Sequence, residues 1–363
     1  MKCPGLQFIG GLIITLATAC APLFPAQPTP TPTAPAQIER TPTPAQLTAT
    51  PTSIPPTPSA TPPPALRAYV TAEGSDRVAV VDLASAQVIA QIPVGDGPHN
   101  IALAPEGRTL LVTNIFSADV SLINTAENQE VARLPVGVRP HDVAVAPDGR
   151  LAYIADTRGT QVWILDMQRL EFIQEIQVGT EPHDLKITPD GREAWVTYSG
   201  SPGLAIIDLA TNRVVAQVET GSAPHDLVIT PDGQRVWIAH WSDRQVAVID
   251  INTRQVIAQP VMPGEAQHPA ISPDGRLVAI TSSTRDDKLW LVDANTYELL
   301  AEIVVGPGPH HPVFTPDGKT VLVAAGHAGE LAIVDLATQE VRSIPVGRET
   351  HGVAIVEVGG GSG

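Results

Sequence analysis

The stretch HDVAVAPDGRLAYIADTRGTQVWILDMQRLEFIQEIQVGT, residues 141–180, is one complete unit of a repeat and decides the fold. His141 to Ala146 is a short run rich in β-branched residues, and Pro147-Asp148-Gly149 closes it as a turn. Proline fixes φ there and glycine accepts a positive φ. Leu151 to Ala155 reads as a second strand, the polar loop Asp156 to Thr160 interrupts it, and Gln161 to Asp166 reads as a third. A longer turn leads to a fourth strand around Phe172 to Val178, and Gly179-Thr180-Glu181-Pro182 delivers the chain to His183, where the pattern restarts.

The same unit recurs along the chain. His99, His141, His183, His225, His268, His310 and His351 stand 41 to 43 residues apart, leaving only His240, His311 and His327 of the 10 histidines elsewhere. A self-similar period in this range marks a solenoid or a propeller. A second column, Asp82, Asn124, Asp166, Asp208, Asp250, Asp293 and Asp335, ends each third strand with a short side chain that can bond the backbone of the next turn. Hairpin turns begin at Pro105, Pro147, Pro189, Pro231, Pro273 and Pro316, so six turns serve seven histidines.

The missing turn explains the closure. After His351 the chain makes one more strand, Gly352 to Val358, and then runs into glycines. At the other end Ala68–Thr71, Val78–Asp82 and Val88–Ile92 read as strands two to four of a blade that lacks its first. The two ends complete each other, which predicts an all-β, seven-bladed propeller of four-stranded antiparallel blades, leaving only short protected edges.

Ala68-Tyr69-Val70-Thr71, Leu111-Val112-Thr113-Asn114, Val120-Ser121-Leu122-Ile123-Asn124 and the recurrent Val-Gly-x-x-Pro-His followed by Pro-Asp-Gly resemble the bacterial YVTN-type β-propeller repeat family, which includes YncE-like proteins. The resemblance covers about residues 66–358 and implies a seven-bladed, often exported propeller. Members of that family share no single activity, so it implies a fold more than a function.

Outside the repeats the chain is built differently. Lys2 followed by the mainly apolar Leu6 to Ala19 reads as an export signal, too short to span a bilayer comfortably. It ends in Leu16-Ala17-Thr18-Ala19-Cys20, which resembles a bacterial lipobox, although the usual leucine stands one position nearer the cysteine. Residues 1–19 are therefore expected to be a lipoprotein-type signal peptide and Cys20 the lipidation site, with ordinary cleavage after Ala19 as the alternative. Pro22 to Pro64 holds 15 of the 36 prolines, so residues 20–65 read as an extended spacer without a core. Residues 359–363 are a glycine-rich tail. The expected location is extracytoplasmic, lipid-anchored to the cell membrane or exposed at the envelope, as a monomer.

The charge of −16 argues against nucleic acid as a partner, because that needs a basic face. Both cysteines, Cys3 and Cys20, precede the repeats, so any metal in the folded part must use His, Asp or Glu. Each period histidine opens the innermost strand of a blade, and all seven are expected at one mouth of the central channel. Neutral imidazole there would suit copper, nickel or zinc. In kind this is similar to the multi-histidine copper domain of nitrous oxide reductase, a likeness that does not extend to that family's cupredoxin domain. A structural role, with each histidine satisfying a backbone group, is the competing reading. Asp142, Asp184 and Asp226 follow three successive histidines and His311 follows another. Because side chains alternate along a strand these residues need not face the channel, and they are expected to orient neighbouring imidazoles; if they point inward, one side of the mouth is acidic and could accept a cation or a basic ligand. His240, Trp241 and His327 are expected on the rim of the same face. Trp163, Trp195, Trp237 and Trp290 fall within strands and are expected to pack between blades. The leading functional expectation is a binding or scaffold module taking a small ligand, metal ion or partner protein at the histidine face, with no catalytic residues assigned. A metal-dependent redox or hydrolytic enzyme and a structural surface-layer protein are the alternatives.

Overall fold

The computed structural model describes residues 65–241 and 243–359. The expected export signal, the expected lipidation site Cys20, the expected spacer up to Pro64 and the last four residues lie outside the described residues. Among the described residues, twenty-eight strands form seven four-stranded antiparallel sheets. The repeat unit read above becomes strands Pro140–Val145, Leu151–Asp156, Gln161–Asp166 and Glu171–Gln177, each within about one residue of its sequence reading. Six sheets are consecutive in sequence. In the seventh, Thr350–Val358 pairs with Ala65–Ala72, with Tyr69 opposite Ala354, and Arg77–Asp82 and Gln87–Pro93 complete the blade. The ring closes as the missing turn predicts.

Seven apolar clusters hold the blades together, one at each junction. Adjacent residues of an inner strand serve different junctions: Leu110 and Val112 pack toward the closing blade, and Leu111 packs toward Ala152 and Ile154 of the next. An inner strand is buried on both faces, whereas an outer strand alternates between exposed and half-buried positions, as Gln87 to Gln91 does. Trp195, Trp237 and Trp290 are fully buried at these junctions, while Trp163 is half-buried against Phe172.

The turn columns have the chemistry assigned to them. Gly149 sits at φ 71° and its amide donates to the Ala146 carbonyl at 2.8 Å. Asp208 Oδ1 accepts from the Thr211 amide at 2.8 Å, and its six equivalents bond their own turns in the same way. The Thr211 hydroxyl, which donates to the same oxygen at 2.6 Å, and then the backbone amide stabilise the ionised carboxylate and lower the pKa of Asp208.

One feature of the innermost strands was not anticipated. Pairing between the first and second strands shifts register at the histidine in every blade; Pro98 faces Asn114, yet Ile101 faces Val112. In four of the seven blades a threonine, Thr71, Thr113, Thr197 or Thr281, fills the gap this bulge leaves, and alanine stands there in the other three. Thr113 Oγ1 accepts from the Asn100 amide at 3.0 Å and donates to the His141 carbonyl of the next blade at 2.8 Å. Thr71 and Thr197 make the same bridge to His99 and His225. Thr113→Val strands two buried backbone groups and is expected to cost about 2 kcal/mol. Urea denaturation measures it, and an unchanged midpoint would mean the bridge carries no net stability.

Candidate functional site

The seven period histidines form a closed ring at one mouth of the channel. Neighbouring imidazole centroids lie 3.5 Å apart at His99–His351, 4.1 Å at His99–His141, 3.9 Å at His141–His183 and 4.3 Å at both His183–His225 and His310–His351. The spacing opens to 5.0 Å at His225–His268 and 5.4 Å at His268–His310. All seven line a cavity of about 680 Å³, together with Glu73, Arg139, Arg158, Glu181 and Glu349 on its rim. Gly326 permits the close approach of the sixth blade's loop, since a Cβ there would lie 2.7 Å from the His310 ring and 2.8 Å from the Thr350 carbonyl.

Burial and mutual proximity hold these imidazoles neutral. Burial lowers every ring histidine below 6.5, and for most the neighbouring imidazoles push in the same direction; His141 and His268 fall to about 3. Backbone satisfaction accounts for only part of the ring. His141 Nδ1 lies 3.1 Å from the His183 carbonyl and His183 Nδ1 3.1 Å from the His225 carbonyl. Nδ1 of His99, His225, His310 and His351 is buried without a hydrogen-bond partner.

The residues after the histidines do not turn away from the axis, as simple alternation predicts. The bulge breaks the alternation. Asn100, Asp142, Asp226, Pro269, His311 and Gly352 line a second cavity of about 500 Å³ below the ring. Asp226 Oδ2 lies 2.8 Å from His268 Nδ1, the orienting contact expected of these aspartates. Asp142 and Asp184 do something else: their carboxylates accept from the Leu185 and Leu227 amides of the next blade, each at 2.9 Å. Both also meet Lys186, whose Nζ lies 2.9 Å from Asp142 Oδ2 and 2.5 Å from Asp184 Oδ1.

Lys186 is the participant that sequence reasoning missed. The third residue after each histidine is Ala102, Ala144, Lys186, Val228, Ile271, Val313 and Ala354, so one lysine interrupts an apolar column, a signal present in the sequence. Burial opposes its charge, but Asp142, Asp184 and Asp226 outweigh burial and raise its pKa. Burial and neighbouring carboxylates raise Asp142 as well, and push Asp184 up to about 7, against the pull of the lysine.

The rim differs from expectation at one position. Trp241 is 53% exposed and its ring lies 4.7 Å from that of His225. His327 also lines the mouth. His240 does not: it is buried behind the rim with Nε2 3.3 Å from Thr220 Oγ1, because it is the last residue of strand Arg235–His240 and is paired with Pro224.

A family model of the cytochrome D1 heme domain matches residues 112–220, less than half of the chain. No curated protein sequence matches. Among solved structures the chain is similar to Kuenenia stuttgartiensis hydrazine synthase, at 21% identity and TM-score 0.66 over 81% of this chain and 99% of that one. It is similar to the dihydro-heme d1 dehydrogenase NirN in complex with DHE, at 18% identity and TM-score 0.62 over 79% and 74%. A functionally unknown protein from Desulfotomaculum acetoxidans DSM 771 aligns with TM-score 0.71 at 15% identity, over 81% and 99%. At these identities the likeness is one of fold.

Proposed function

We propose that the protein is a membrane-tethered, extracytoplasmic binding module of the YVTN type whose imidazole-lined mouth takes a transition-metal ion. The observation that carries this is the closed ring of seven neutral imidazoles with four buried, unpartnered Nδ1 atoms. Neutral imidazole is the ligand form that copper, nickel and zinc require, and a purely structural ring would leave fewer buried nitrogens unsatisfied. The tether rests on the export signal and Cys20.

The partial family match raises a tetrapyrrole as an alternative occupant. The ring offers axial imidazoles, and Arg139 and Arg158 could pair with carboxylates. However, among the described residues Trp241 is the one large apolar side chain lining the cavity, and Glu73, Glu181 and Glu349 share its rim. Burial, with Glu349 beside it, raises Glu73 to about 7, so this rim resists further carboxylates. A flat macrocycle needs apolar walls, and these residues do not fit one.

The purified chain, exposed in turn to Cu²⁺, Ni²⁺ and Zn²⁺ and then desalted, is expected to retain metal stoichiometrically and to melt higher with it than without. Retention of none of the three would leave a scaffold or a surface-layer component as the better reading. Turnover of a redox or hydrolytic substrate by the loaded protein would favour an enzyme.

A further inference from the structure

The ring is not regular, and its irregularity singles out one sector. The two widest gaps both flank His268. Beneath them an eighth imidazole, His311, approaches to 4.2 Å from the His268 ring and 4.9 Å from that of His351. One ligand nitrogen from each of these three histidines lies within 4.8 Å of the other two. His268 and His351 line the upper cavity and His311 the lower, so the three meet at the waist between them.

The surrounding atoms fix which nitrogens are free. Asp226 Oδ2 accepts from His268 Nδ1 at 2.8 Å, which leaves Nε2 of that ring with its lone pair. The same oxygen lies 3.3 Å from His311 Nδ1, and His311 Nε2 is buried with no partner. His351 Nδ1 is buried without a partner too. A carboxylate behind one imidazole and beside a second, with unsatisfied nitrogens on the far side, is how metal-binding histidines are normally supported.

We infer that His268, His311 and His351 bind a single borderline transition-metal ion at the waist of the channel, with Asp226 as the carboxylate that positions His268 and His311. This rests on the metal-binding reading above and assigns it to three of the eight axial imidazoles. Three nitrogen donors suit Zn²⁺, Co²⁺, Ni²⁺ or Cu²⁺ better than Mg²⁺ or Ca²⁺, which prefer oxygen. They also leave a coordination position open to water or a small anion from either cavity.

The test titrates Co²⁺ into the purified chain by visible absorption and Zn²⁺ by calorimetry. The wild type is expected to take one ion of either metal. His311→Gln is expected to lose the cobalt spectrum, with His311→Phe as a second variant should the first fail to fold. Asp226→Asn is expected to bind roughly 10–100-fold more weakly, whereas His240→Gln, at a histidine buried behind the rim and outside the ring, stays within about 3-fold of the wild type. If the wild type binds neither ion, the metal-binding reading falls and this inference with it. If the wild type binds one ion, His311→Gln keeps it and His141→Gln loses it, the mouth binds metal but not at these three residues, and only the present inference is overturned.

Discussion

Lowering the pH from 7.5 to 5.5 is expected to reduce the thermal midpoint of the metal-free propeller by about 10 °C. The seven ring histidines and His311 all have folded pKa values below 6.5, with His141 and His268 at about 3. As pH falls through 6.5, the unfolded chain therefore binds protons that the folded ring refuses. Each such imidazole forfeits about 1.4 kcal/mol per pH unit in this window. Asp142, Asp184, Asp226 and Glu73 act in the opposite direction, because their raised values make the folded state the better proton acceptor. Lys186 stays charged throughout. Eight groups against four leave a net loss on the order of several kcal/mol, at roughly 2 °C per kcal/mol. Thermal melts at pH 7.5, 6.5 and 5.5 in chelator measure it. A midpoint that holds or rises toward pH 5.5 would mean the ring accepts protons while folded.

The second large effect concerns the lysine beneath the ring. Lys186→Met is expected to destabilise the protein by about 2–3 kcal/mol at pH 8 and by less than half of that at pH 5. Without the ammonium, Asp142 and Asp184 are buried carboxylates whose only remaining support is backbone amides and each other. At pH 8 they must ionise uncompensated or hold protons against the solvent pH; at pH 5 they are neutral and the missing lysine matters little. The figure sits below the range for a fully buried pair because Lys186 keeps 35% of its side-chain exposure. Urea denaturation at the two pH values measures the difference. Equal losses at both would make the effect one of packing and not of charge.

Periodicity made the architecture readable. A residue repeated at a fixed interval marks a topological position, so the histidines, the aspartate column and the Pro-x-Gly turns give blade number, strand order and closure. The candidate site is carried by exceptions to those columns, which periodicity suppresses. Lys186 and His311 each occur once at their position, and the ring widens where His311 enters. The inward turn of Asp142 and Asp226 was hidden for another reason. Strand alternation is a rule for regular pairing, and the bulge at every histidine suspends it. His240 lies behind the rim because it ends a strand and does not belong to the loop that follows.

His351 lies on Thr350–Val358, the strand that shuts the ring against Ala65–Ala72. The seventh imidazole therefore reaches its place only when chain ends almost three hundred residues apart have met. A polypeptide made from its N-terminus cannot assemble this centre until its final strand has emerged. With the proposed site filled, an ion shared between that strand and the two blades before it would act as a clasp on the seam, resisting the fraying by which an open ring would begin to unwind. Occupancy would then report that the ring is closed, and a chain cut short before Thr350 would lose both its seal and that clasp.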